Sequence, residues 1–494
     1  MSKGVSIDAL SRGLSIKKSG MNLVSRLLSS CLLVLFFFAV SCTREYGFEH
    51  QGMLRLSTDT LSFDTIFSNV GSTTARIKVY NPYKQKLLIS EIGLKTRGNS
   101  GFRLSVDGLT SLSCSDLELP PRDSLYLFVE ITAALQGVAD PVLIEDAVYF
   151  VTNGHRQEIV LQAYAQDALV WRGKRIEQDT LLKAELPYLI YDSLVIDSGA
   201  VLSVDPGVRL HFHDRAAVVI YGSIKAKGEL NNPIIFRGDR LDKLFVDFPY
   251  EYYPGQWYGI YLDKESYGNE FDWVEIRGAY YGIIADSSSL EQRKLEINNS
   301  VIFNMVYSNL YSIHSNIRVN NSLLANSGSY TLLLLGGDAE FVHCTIANYQ
   351  RLVSRDGPTL ALANFLGEEG KASIYYPLQK ADFVNSIIYG SQLDEIGLGV
   401  AEESAHAFFF RNCLIRNTVE LASEYAEACI YNEDPAFMST GKDYLYNFRI
   451  DSTSAAIDKG LESVALTIPF DLDGNSRTSD IAPDLGAFEW HGLE

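Results

Sequence analysis

The 494-residue chain is poor in cysteine (six), in histidine (eight) and in positive charge, with 42 basic against 61 acidic residues. The cysteines stand at 31, 42, 114, 344, 413 and 429, widely scattered, with no Cys-x-x-Cys and no Cys/His cluster. No spacing there suggests a disulfide framework, though an oxidising envelope leaves pairing open, and none suits zinc ligands. The formal net charge of −19 argues against a nucleic-acid partner, because phosphate binding needs a basic surface. Long apolar runs are also missing. The run CLLVLFFFAV at 31–40 has ten residues, too few to span a bilayer as a permanent helix. From residue 52 to 166 no helical period appears. A Gly-x-Ser-x-Gly in a strand–helix context and a Gly-His-Gly beside an acidic pair are likewise missing, so no hydrolase signature of those kinds is present.

What is present begins with a targeting pattern. Lys17, Lys18 and Arg26 precede the apolar run, and small residues follow it, as in a secretory signal, with Met1 or Met21 as the start. Ala39-Val40-Ser41-Cys42 resembles the lipobox of bacterial lipoproteins, which implies cleavage before Cys42 and lipidation of that cysteine. Residues 1–41 are then the signal peptide and 42–51 a tether. The remaining chain carries 37 basic and 60 acidic residues, a net −23. The expected address is the cell envelope, as an outer-membrane lipoprotein whose membrane partner is reached through the acyl chains.

Residues 52–166 read as short alternating or apolar runs, among them ARIKVYN, SLYLFVEIT and QEIVLQAYA, separated by turn-formers such as NPYK and LPPRDS. About seven strands in an antiparallel β-sandwich are expected. The stretch SFDTIFSNVGSTTARIKVYNP resembles immunoglobulin-like domains at the front of envelope lipoproteins, without a Cys…Trp…Cys signature.

Beyond Trp171 a repeat takes over. LEINNSVIFN (295–304), IRVNNSLLAN (317–326) and AEFVHCTIAN (339–348) are 22 residues apart, and later copies are anchored on Ser386 and Cys413. Aligned on Ser300, the anchor is always small: Ser300, Ser322, Cys344, Ser386, Cys413. Two residues later it is aliphatic: Ile302, Leu324, Ile346, Ile388, Ile415. One residue earlier stand Asn299, Asn321, His343, Asn385 and Asn412. A weaker copy is anchored on Val274. Stacked coils would give each column one environment and one residue type. A leucine-rich repeat has a similar period, but the legs here, such as SYTLLLLGG, read as strands. The stretch 188–238 resembles the opening coils of right-handed parallel β-helices. The fold class is therefore all-β: an immunoglobulin-like sandwich (52–166), a right-handed parallel β-helix (167–430) and a C-terminal cap (431–494). The phrases SAAIDKG, DLDGNSR and PDLGAFE in that last segment resemble the closing segment of envelope β-helix proteins. Spacings of 42 and 27 between late anchors imply a protruding loop or an additional coil.

Three groups are candidates for chemistry. Asp471, Asp473 and Asn475 imitate a calcium loop, but Ala482 stands where the twelfth-position Glu is needed, so a turn is expected and no cofactor is assigned. His211 and His213 flank Phe212 and should point to solvent. The stretch YEYYPGQWYG is the candidate ligand site, with Tyr250, Tyr252, Tyr253, Trp257, Tyr258, Asp247 and Glu251 as its residues. Asp239, Arg240 and Asp242 stand just upstream. Aromatic faces stack on sugar rings, so a polysaccharide is the expected partner. The function expected is a scaffold or glycan-binding module. The alternative is a carbohydrate-active enzyme, a polysaccharide lyase or glycoside hydrolase, acting on the side of the β-helix.

Overall fold

The computed structural model describes residues 46–106, 108–110, 113–245, 248–367, 372–479 and 481–492. The signal segment, Cys42 and Asp247 lie outside them. The first unit is a sandwich of two five-stranded sheets, ten strands where about seven are expected. One sheet runs Arg55–Leu56, Ala75–Tyr80, Ser124–Ile131, Phe102–Val106, Leu109–Thr110. The other runs Thr60–Phe67, His155–Gln166, Val142–Thr152, Leu87–Leu94, Ser113–Leu119. All pairs are antiparallel except Thr60–Phe67 with His155–Gln166. Alternation directs Leu127, Val129 and Ile131 into the core against Ile77, Ile89, Phe102 and Phe150.

From Leu169–Ile176 onward the chain winds as a parallel β-helix with three faces. In a typical coil Val301–Met305 lies on the first face, Ser308–Ile313 on the second and Asn316–Asn320 on the third. The third face holds ten strands, from Thr180–Leu182 to Ala426–Glu427; the other two join in one 18-stranded sheet. At the usual strand spacing ten strands make a rod of about 43 Å. The expected columns are in register: Ile297 pairs with Val319, Val319 with Phe341, Phe341 with Phe383 and Phe383 with Phe410. Inside, Phe341, Phe383 and Phe410 stack nearly flat, at 4.9 and 4.7 Å between centroids. Three parallel strand faces, with no helical leg among the described residues of the coils, rule out the leucine-rich alternative.

The corner before each anchor explains the Asn column. Trp273, Asn299, Asn321, His343, Asn385, Asn412 and Ala428 all adopt left-handed φ, between 47° and 53°. Asn tolerates that conformation best and can hydrogen-bond up the stack. Asn321 Nδ2 donates to Asn299 Oδ1 at 2.7 Å, and Asn385 Nδ2 meets His343 Nε2 at 3.0 Å. The anchor must be more than small. Ser322 Oγ donates to Asn320 O (2.7 Å) and accepts from the Ser300 amide of the neighbouring coil (3.1 Å), and Ser386 serves Cys344 the same way.

The spacing of 42 is one enlarged coil. Leu360–Ala363 and Leu378–Val384 continue the second and third faces, with a small hairpin, Phe365–Leu366 against Ile374–Tyr375, projecting between them. A further copy, Ala428-Cys429, follows Cys413 after only 16 residues.

The C-terminal segment, expected as an end cap, lies along the flank of the rod. Phe448, Leu472, Ala487 and Phe488 pack on Phe303, Leu323, Ala325 and Ala347, which point outward from the first face. The segment is pinned to the Asn column. Arg477, fully buried, donates to Asn321 Oδ1 at 2.6 Å and pairs with Glu489; Leu461 N and Lys459 O bind Asn385 and Asn412.

Candidate functional site

Between that C-terminal strap and the first face lies a groove of about 320 Å³. Its coil side comes from Trp273, Glu275, Arg277, Val301, Phe303 and Leu323, which are outward positions or corners of successive strands. Its strap side comes from Tyr446, Phe448, Arg449, Leu472, Asp473 and Phe488. Tyr252, from the aromatic loop, closes one end. Its ring meets Phe303 edge-on at 6.1 Å, and Phe303 meets Tyr446 at 5.9 Å. The outward row of the first face changes from charged (Arg237, Arg277) to apolar (Phe303, Ala325, Ala347) along the rod, so the groove has a polar and an apolar end.

The charges are paired. Glu251 bridges Arg237 (2.6 Å) and Arg277 (3.1 Å), and Arg277 also pairs with Glu275. Burial alone would make Arg277 less basic, but Glu275 and Glu251 outweigh it and raise its pKa. Across the groove Arg449 forks onto Asp473, with both contacts at 2.5 Å, and lies 4.9 Å over the Phe488 ring.

The candidate loop is divided among several places. Tyr252 and Glu251 are at the groove, Tyr252 in its wall and Glu251 behind it. Tyr250 and Tyr253 contact each other, with Arg240 4.0 Å over the Tyr250 ring; their carbonyls bind Gln256. Trp257 is a correction. It is fully buried inside the coil, stacked on Phe212 at 4.2 Å with Nε1 donating to Arg277 O, and offers no face to a ligand. Tyr258 is exposed and joins Tyr280, Tyr281 and Tyr307 in a surface ladder with ring centroids 5.0–6.5 Å apart.

The upstream charges turn away from the groove. Asp239 meets His213 at 2.6 Å and Arg240 forks onto Asp242, all beside a second cleft shared with Ser62–Ala75 of the sandwich. His211 is a second correction. It does point out of the coil, but the sandwich covers it: Phe67 packs edge-on at 5.0 Å and the imidazole is buried. The DLDG stretch is a turn, in which the Asp471 carboxylate accepts from the amides of Asp473, Asn475 and Glu489. Among the described residues no three His, Cys, Asp or Glu side chains form a metal-holding group. The strap residues Tyr446 and Arg449 escaped the sequence reading, and Asp473 was expected only in a turn, not in a groove wall. Nothing local marks them as a wall, because the coil residues they face are distant in sequence; Phe303, which Tyr446 meets, stands 143 positions earlier.

No family model and no curated protein matches the chain. Among solved structures it is similar over short stretches to a family 123 glycoside hydrolase from Clostridium perfringens, at 6% identity, covering 23% of this chain and 26% of that one, with a TM-score of 0.17. It is also similar to the Vibrio cholerae VesB protease, at 13% identity, covering 22% and 31%, with a TM-score of 0.17. The chain thus spans under a third of either structure.

Proposed function

We propose that the protein is a lipid-anchored β-helix scaffold of the cell envelope that binds a glycan in the groove beneath its C-terminal strap. The observation that supports this is the wall composition. Tyr252, Trp273 and Tyr446 supply aromatic surface for sugar ring faces, and the Arg277–Glu275 and Arg449–Asp473 pairs supply donors and acceptors for hydroxyls. Both arginines are already neutralised by carboxylates and the chain is acidic overall, so a neutral glycan suits the groove better than a polyuronate. Rigid coils on one side and a pinned strap on the other hold the walls without ordering on binding, which favours recognition. Glu275 and Asp473 are each committed to an arginine, a poor disposition for shuttling protons, so binding is preferred to turnover.

Titration calorimetry with a panel of neutral and acidic oligosaccharides tests the reading. A neutral member should bind without product formation, and Tyr252→Ala should weaken it about tenfold, the worth of one stacked ring. Binding that ignores Tyr252, or release of new reducing ends or unsaturated uronates, would contradict it. The anchor has its own test: Cys42→Ser should move the protein from the membrane to the soluble fraction, and pelleting that survives a salt wash would refute lipidation.

A further inference from the structure

The two cysteines nearest the end of the rod are juxtaposed by the register of the coils. Arg411 pairs with Glu427 and Leu414 with Ile430, so Cys413 and Cys429 stand directly opposite each other in adjacent coils. The Ile430 amide donates to the Cys413 carbonyl at 2.8 Å, which fixes the two backbones at normal ladder spacing. Parallel strands lie about 4.8 Å apart, within the Cα separation that a disulfide accepts. Both side chains lean the same way. Cys413 Sγ lies 3.4 Å from Phe383 O, and Cys429 Sγ lies 3.5 Å from Phe410 O, one coil along in each case. Cys344 occupies the same column, but Ser386 stands between it and Cys413, and Cys114 lies in the sandwich. Both thiols of the pair are free.

We propose that Cys413 and Cys429 form a disulfide that clips the terminal turn to the last full coil. The two are unequally accessible: Cys413 is fully buried and Cys429 only partly. The hydrogen bond from Cys413 favours the Cys429 thiolate, whereas burial holds Cys413 as the thiol. Cys429 is therefore the entry point. Its thiolate attacks one sulfur of an external disulfide, giving a mixed disulfide and releasing one partner thiolate. Cys413 then loses its proton and attacks Cys429 Sγ, expelling the second partner thiolate. The chain gives up two electrons and two protons, and the external disulfide becomes two thiols.

The location gives the bond a purpose. The terminal turn is held by two-residue strands only, Ala426–Glu427 and Ile430–Tyr431, and it shields Phe408 through the stacked Tyr425 ring. If the turn frays, the last inner aromatics and an open strand edge are exposed.

The test uses the full chain, purified reduced and then exposed to oxidised glutathione. Non-reducing digestion and mass spectrometry should find a Cys413–Cys429 peptide pair, with Cys114 and Cys344 unlinked. Cys413→Ser should leave Cys429 trapped as a glutathione mixed disulfide. Hydrogen exchange of amides between 410 and 431 should slow about tenfold on oxidation. Both thiols remaining alkylatable after oxidation, or either one pairing with Cys114 or Cys344, would overturn the proposal.

Discussion

His211 and Trp257 show what a single residue's position decides. Alternation through Leu210-His211-Phe212 correctly turns the imidazole out of the coil, but only the distant Phe67 determines that this side is covered. Trp257 stands just before the strand Gly259–Leu262, where alternation has not begun, so its inward direction was not legible. Burial of His211, with Arg237 and Arg209 nearby, lowers its pKa to about 3. The folded value lies below the ordinary 6.5, so the unfolded chain takes up the proton first as pH falls. Stability from the neutral ring is complete above pH 6.5 and is lost progressively toward pH 3, about 2 kcal/mol by pH 5. Glu489, raised to about 7 by burial, acts with the opposite sign over pH 4.5–7. The clean measurement is therefore the difference between wild type and His211→Gln in urea midpoint at pH 7 and pH 5. The wild type should lose more stability on acidification than the variant; equal losses would show that His211 is not a buried neutral group.

At the scale of the coil, much could be read in advance. The 22-residue period, the aliphatic column and the Asn corner are consequences of stacking, and each left its mark at a fixed spacing. The anchor's reason was only half legible. Smallness shows in the sequence, but the hydroxyl's double duty, donating within its own coil and accepting from the next, needs the neighbouring backbone. The final copy at Cys429 escaped because the terminal coil shrinks to 16 residues and loses most of its second face. The Asn column also carries a load that no repeat announces. Asn321 accepts from the buried Arg477 as well as donating to Asn299. Asn321→Leu would leave a buried guanidinium short of an acceptor and put a branched apolar side chain in left-handed backbone. A loss of about 3 kcal/mol is expected in denaturant unfolding. An unchanged midpoint would show that the column does not hold the strap.

Across the whole molecule, three nonlocal contacts convert a repeat into a protein with a site. The sandwich seats on the outward face of the early coils through Phe67 and His211. The strap returns from residue 437 onward to cover the apolar outer rows of the first face. The aromatic loop then closes one end of the groove left between strap and coils. The closing segment was visible as a distinct phrase in the sequence, but its path along the flank was not, since it depends on which outward rows are apolar. Groove, strap and clip all rest on parallel winding in register, which places Glu296 directly beside Arg318 on the third face. The most direct test pairs engineered cysteines there, in a chain with Cys114 and Cys429 changed to Ser. Glu296→Cys with Arg318→Cys should cross-link rapidly under mild oxidation, while Glu296→Cys with Asn320→Cys, about 7 Å out of register, should not. Preference for the second pair, or no cross-link in either, would contradict the stacked parallel coil.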